Sequence, residues 1–231
     1  MTRRFAALSG VAVSLTIALT ACGGSDTDTG NDSTQEVLEL AKQKFDEARS
    51  VHLTLKTDSK PSSGDAVLGA KGVLTHQPAF EGTVTVVLSG FNADVPVVAV
   101  DDKVFAKLPL TPRYVAIDPT EYGSPDPADF ADPEAGISGL LLELEDAKEA
   151  GQKREGDKVL TTYTGTLGGE LVDPIIPSAS KSGTYKTEVG IDEDGRIITL
   201  RVTGDFFAHD GAVTYDLAFD QYDENVTISA P

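Results

Sequence analysis

Between Gly183 and Asp220 the chain alternates apolar and polar side chains with a period of two, three times in succession. Tyr185, Val189 and Ile191, then Ile198, Leu200 and Val202, then Val213, Tyr215, Leu217 and Phe219 share one side of this pattern. Lys186, Glu188, Thr199, Arg201, Thr214, Asp216 and Asp220 share the other. Only a strand, whose successive side chains point to opposite faces, keeps such a pattern in register; a helix would scatter it around its circumference. Asp-Glu-Asp-Gly at 192–195 and Ala-His-Asp-Gly at 208–211 supply turn chemistry between the runs. Three consecutive antiparallel strands follow, dry on one face, and the dry face has to be covered by something else.

The same signature predicts strands at 51–56, 68–75, 83–88, 96–100, 104–108 and 158–167, an antiparallel meander. Helical spacing interrupts it. Ser33-Thr-Gln-Glu36 has the form of a capping box, and Val37, Ala41, Phe45 and Ala48, widened by Leu38 and Leu40, predict an amphipathic helix ending near Ser50. Between the two strand groups, Pro119 to Gly151 is punctuated by Pro125, Pro127 and Pro133. There Asp132-Pro133-Glu134 reads as a helix start and Ile137, Leu140, Leu141 and Leu144 as its apolar stripe, with the helix stopping at Gly151. A short helix or turn is expected across Gly169 to Ile176. The fold class is α+β, an antiparallel β half-barrel wrapped around a few helices, in a single domain over 34–231.

Ahead of that domain, Arg3 and Arg4 precede an uncharged run from Phe5 to Ala21 that is short for a membrane span. This is the layout of a secretory signal over residues 1–21. It closes on Leu-Thr-Ala-Cys at 19–22, which resembles the lipobox of bacterial lipoproteins, so Cys22, the chain's sole cysteine, is expected to be acylated and to become the first mature residue. Acyl chains on Cys22 would tether the protein to a membrane surface. Residues 22–33 then read as lipidated cysteine and flexible tether. Asp26, Asp28 and Asp32 do not make a calcium loop, because Asn31 stands where the EF-hand pattern needs glycine.

With 19 basic and 37 acidic residues the net charge is −18, and loss of residues 1–21 takes it to −20. Phosphate backbones are bound by cationic surfaces, so nucleic acid is not an expected partner. No metal site or cofactor is expected either, and the histidines, His52, His76 and His209, fall on a polar strand face or near turns. Nucleophile-elbow, zincin, phosphate-loop and dinucleotide-binding patterns are missing from the chain. The reading is therefore non-enzymatic. Inward positions are mostly Val, Leu, Ile, Ala and Gly, with no tryptophan. Such a sheet either closes against its helices or leaves an apolar cavity, and composition leaves both open.

Four stretches, "ARSVHLTLKT" (48–57), "KGVLTHQPAFEGTVTVVLSG" (71–90), "VAVDDKVFAKLPLTPRYVAIDP" (98–119) and "YGSPDPADFADPEAGISGLL" (122–141), together with the lipobox, resemble the LprG branch of the LppX/LprA/LprF/LprG lipoproteins of mycobacteria and related bacteria. The resemblance implies a half-barrel like the LolA and LolB lipid carriers, with a large internal apolar cavity. It implies binding of the acyl chains of triacylated glycolipids such as lipoarabinomannan, or of triacylglycerol. It further implies carriage from the outer face of the cytoplasmic membrane through the cell envelope, with a major-facilitator transporter as partner. By resemblance Val84 lies on the cavity wall, and alternation adds Val86 and Leu88. Periodicity proposes Leu53, Leu55, Leu74, Leu140, Leu141, Leu144, Leu200, Val202, Leu217 and Phe219 as further lining, while Lys71, Lys103 and Arg113 read as surface charges. The alternative function is a scaffold or transporter-assisting lipoprotein with no working cavity.

Overall fold

The computed structural model describes residues 29–231 apart from 89, 110 and 209. The signal stretch, Cys22, the first part of the tether and His209 lie outside the described residues. Helix α1 (Thr29–Asp46) starts upstream of Ser33, so the capping-box serine sits inside the helix and the helix takes up the end of the stretch read as tether. Serine has an ordinary helical propensity, and the Ser-x-x-Glu pattern does not by itself stop a helix from running through it. The chain leaves α1 at Asp46, and Ser50 already belongs to a strand.

Eleven strands follow: β1 (Ser50–Lys56), β2 (Ala66–Thr75), β3 (Ala79–Leu88), β4 (Phe91–Val100), β5 (Lys103–Ala106), β6 (Val115–Ile117), β7 (Glu145–Glu155), β8 (Lys158–Gly168), β9 (Thr184–Ile191), β10 (Ile197–Gly204) and β11 (Val213–Asp220), with a one-turn helix α2 (Gly169–Val172) after β8. They form one sheet in the order β6-β5-β4-β3-β2-β1-β11-β10-β9-β8-β7. Every neighbouring pair is antiparallel. The chain thus walks outward from β1 to one edge, crosses to the opposite edge, and walks back until β11 lies beside β1. Because β6 and β7 are the two ends of the sheet, residues 118–144 between them have to span its concave face. This open sheet with few helices is the expected α+β architecture.

The segment 133–151 is not the expected helix. Asp132 does act as a cap, its Oδ1 accepting from the Glu134 and Ala135 amides at 2.8 and 2.7 Å. The chain then turns at once: a Cβ on Gly139 would come within 2.0 Å of the Glu134 carbonyl. Only a three-residue 3-10 helix, Gly139–Leu141, remains. From Glu145 the chain is strand β7, paired with β8 through two register shifts near Asp146 (φ +53°) and Gly151 (φ +108°). Its sequence, EDAKEAGQKRE, favours a helix locally, but edge pairing with β8 prevails, and its bulges and charges suit an edge that must not recruit another strand. Strand β6 was not anticipated at all.

The concave face is filled unevenly. Over β8–β11 and β1, aromatic rings interlock: Tyr185, Phe206 and Tyr215 follow one another at centroid distances of 4.8 and 4.6 Å. Phe45 of α1 meets Phe219 edge-on at 5.5 Å. Phe206 and Phe207 are buried in the β10–β11 connection, which is therefore longer than the tight turn read at 208–211. Over β2–β6 the inner face carries mostly valine and alanine, with proline-rich loop above it. On the outer face, Arg201 Nε donates to Asp216 at 2.6 Å and Thr85 Oγ1 to Asp94 at 2.7 Å. None of the described helices is long and apolar enough to cross a membrane.

Candidate functional site: an apolar cavity under one half of the sheet

Residues directly opposite in an antiparallel ladder project to the same face. Leu55, Ala70, Val84 and Val95 are such partners across β1, β2, β3 and β4, and all four line a cavity of about 520 Å³. In the next row Gly72 faces Gly82, and Val97 faces Ala106. A Cβ on either glycine would come within 2.7 Å of Phe80 Cζ, so the paired glycines let the fully buried Phe80 ring lie against the sheet as part of the cavity wall. Small side chains on four strands thus leave a volume that larger ones would occupy.

The facing wall comes from the crossing segment and from the chain after α2. Pro119, Tyr122, Pro125, Pro127 and Phe130, following Ile117 at the end of β6, supply the first part, Ile175, Pro177 and Ser178 the second. Two 3-10 helices, Pro119–Tyr122 and Pro127–Ala131, shape this cover, each with proline at its first position and an aspartate cap. Asp118 Oδ1 accepts from the Thr120 hydroxyl at 2.6 Å and its amide at 2.9 Å, and these bonds hold the Asp118 carboxyl below its ordinary value. Asp126 Oδ1 accepts from the Ala128 amide at 2.9 Å. Burial, then the neighbouring carboxylates of Asp126, Asp132 and Asp102, push Asp129 up. Asp65, Glu121 and Ser124 complete the lining with polar groups.

Two hydroxyls matter on the β11 side. Tyr215 donates to the Val67 carbonyl at 2.6 Å, tying β11 to β2 across β1. Burial pushes the Tyr215 phenol up to about 12, with a hydrogen bond to the adjoining Ser178 hydroxyl acting against that. Ser178 Oγ is itself buried beside the Tyr215 hydroxyl and belongs to the cavity lining.

The apolar stripe does not stop at the cavity. Leu88, on its wall, pairs with Phe91 across the β3–β4 hairpin, and the Phe91 side chain is 78 % exposed. The inner face of the hairpin therefore carries a large apolar side chain out into solvent.

Of the residues the sequence proposed as lining, Leu55, Val84, Val86 and Leu88 are on the cavity wall. Leu53, Leu74, Leu140, Leu141, Leu144, Leu200, Val202, Leu217 and Phe219 are not; each is buried in packed core. Alternation places Leu53, Leu74, Leu200, Val202, Leu217 and Phe219 on the inner face, where α1, its packing against Phe219, and the Phe206–Tyr215 cluster fill most of the space above them; Leu140, Leu141 and Leu144 belong to the crossing segment and lie on no strand. Missed were Ala70, which shares its face of β2 with Leu74, and Val95, Val97, Val104 and Ala106, on strands to which the sequence reading assigns no face, together with the cover residues, which carry no periodic signal. His52 and His76 lie outside the cavity wall, and Lys71, Lys103 and Arg113 are exposed and outside it too. Among the described residues, none of the His, Cys, Asp and Glu side chains cluster as a metal site.

Residues 33–228 match the LppX_LprAFG lipoprotein family. The chain is 26 % identical over 195 residues to the lipoarabinomannan carrier protein LprG of Mycobacterium bovis, covering 84 % of this chain and 81 % of that one. It is 25 % identical over 240 residues to the protein of the same name from Mycolicibacterium hassiacum, covering 100 % and 99 %. Among solved structures, LprF from Mycobacterium bovis superposes with a TM-score of 0.72 at 16 % identity, covering 87 % of this chain and 97 % of the other. LppX from Mycobacterium tuberculosis does so with 0.62 at 15 %, covering 86 % and 100 %. The family match over nearly all of the described domain, and a fold shared with two members, agree with the open sheet and its cover: this chain belongs to the LppX_LprAFG lipoprotein family.

Proposed function

We propose that this protein is a lipid-anchored carrier of the cell envelope that shelters acyl chains in the cavity beneath β2–β6. The observation that carries this reading is the cavity itself: about 520 Å³, walled almost entirely by aliphatic and aromatic side chains. That lies within the roughly 300–1,000 Å³ usual for ligand pockets. Each Å² of hydrocarbon moved from water into such a wall contributes about 25 cal/mol, offset in part by ordering the chain. Binding of this kind needs no catalytic group, and the cargo leaves chemically unchanged.

The names of the two LprG relatives favour an acylated lipoglycan such as lipoarabinomannan as cargo, with smaller triacylated glycolipids and triacylglycerol offering the same chains. Headgroups would remain outside the cavity, beside Asp65 and Glu121. Acylation of Cys22 after removal of residues 1–21 would hold the domain at the outer face of the cytoplasmic membrane. From there cargo would move outward, in cooperation with a major-facilitator transporter.

The test is native mass spectrometry of the full chain purified from its membrane, with organic extraction of the same sample. Co-purified acylated lipid at near one molecule per chain is the expected result. A lipid-free mass that also refuses added glycolipid would overturn the carrier reading in favour of a scaffold that assists a transporter.

A further inference from the structure

We infer that Phe80 is the floor of the acyl site and sets the length of hydrocarbon chain that the cavity accepts. This rests on the reading of the cavity as an acyl site and adds to it what that site selects.

The inner face of β3 carries Phe80, Gly82, Val84, Val86 and Leu88 in that order. Leu88 pairs with exposed Phe91 at the hairpin, so the apolar stripe meets solvent there, and Phe80 stands at its other end. Phe80, Val84, Val86 and Leu88 belong to the cavity wall, whereas Gly82 and its partner Gly72 do not. The ring explains the gap. It leans along the strand over both glycines, close enough that a Cβ on either would come within 2.7 Å of Cζ, and so covers the surface they would otherwise offer. Pairing runs from Phe80 through Ala99 to Val104 and Ile117, and Phe80, Val104 and Ile117 are the last strand residues of the lining in that direction. Leu74 and Ala99, the residues opposite Phe80, are fully buried and outside the wall. The core beyond the ring is thus filled. A chain entering from the hairpin end runs about 20 Å along β3 from Leu88 to Gly82, at roughly 3.4 Å per residue, before it meets Phe80. The ring has no room to retreat, with backbone beneath it and packed side chains behind, so a longer chain gains no further burial and leaves its remaining methylenes in water.

The experiment offers the full chain, stripped of lipid, and its Phe80→Leu and Ala70→Leu variants the methyl esters of lauric, myristic, palmitic, stearic, arachidic and behenic acids. Affinity is read by displacement of an apolar fluorescent dye, and folding of each variant by circular dichroism. For the unaltered chain affinity should climb about fourfold with each added methylene and level off once the chain end reaches the ring. Phe80→Leu, which lowers the floor, should move the levelling-off to a longer ester, with about fourfold gained for each methylene newly buried. Ala70→Leu, which adds bulk in the row next to the ring, should move it to a shorter one. The floor is refuted, while the acyl cavity stands, if affinity of the unaltered chain keeps climbing to behenate, or if a folded variant changes all esters equally or leaves the levelling-off where it was. Should Phe80→Leu fail to fold, Ala70→Leu decides alone. If no ester binds the unaltered chain, the cavity reading fails and the floor with it.

Discussion

Val84 and Leu217 show how two aliphatic residues on the same face of one sheet have different jobs. Val84 lines open volume, whereas Leu217, outside the cavity wall, is 3 % exposed and paired with Leu200 in filled core. Val84→Trp should therefore lower the amount of lipid extracted per chain, at a stability cost below the roughly 1–3 kcal/mol of overfilling a packed core. Leu217→Ala should do the reverse in emphasis, costing about 2–5 kcal/mol in chemical denaturation. His76 is a third case. Its ring meets Phe45 edge-on at 5.2 Å, and burial holds its pKa below the ordinary 6.5, against the opposing pull of the Ala48 backbone and of the Asp46 and Asp223 carboxylates. The unfolded chain therefore takes up a proton at a higher pH than the folded one. Stability from the neutral ring is complete above about pH 6.5 and is lost as pH falls below it toward the folded pKa. Thermal melts of His76→Leu should lose that part of the acid slope, the unaltered chain keeping it.

Among the elements, the β3–β4 hairpin and strand β7 teach opposite lessons. The hairpin behaves as its alternation says, and its inner stripe runs from Val84 through Val86 and Leu88 to exposed Phe91. If acyl chains reach the cavity along this stripe, Phe91→Ser should slow lipid uptake from vesicles while leaving the final lipid-to-protein ratio unchanged. Its effect on stability should stay within about 0.5 kcal/mol, as for most exposed positions. Strand β7 could not be read this way. Its alanine, glutamate and lysine residues favour a helix locally, and its place as an edge strand exists only because β8 presents an unpaired ladder beside it. The crossing segment is harder still to read, since its turns follow from close backbone approaches at Gly136 and Gly139 that no periodicity announces.

At the scale of the whole molecule, the open sheet closes half of its own core and leaves a cavity beneath the other half. A ligand that binds only the folded chain stabilises it, by about 2.7 kcal/mol when its free concentration is one hundred times Kd. Stripping lipid from the purified protein should accordingly lower Tm, by roughly 5–10 °C for a domain of this size, and adding lipid back should restore it. Alternation along each strand determined, from the sequence by itself, that these residues form an antiparallel sheet with one apolar face, because a strand's side-chain period of two is local geometry. It also determined which residues point inward, Leu53 and Leu217 as surely as Val84. Tertiary structure alone decided which of those inward residues meet a packed neighbour and which meet space. That depends on where α1, the Phe206–Tyr215 cluster and the proline-rich cover come to rest, and these placements are set by contacts between segments far apart in the chain.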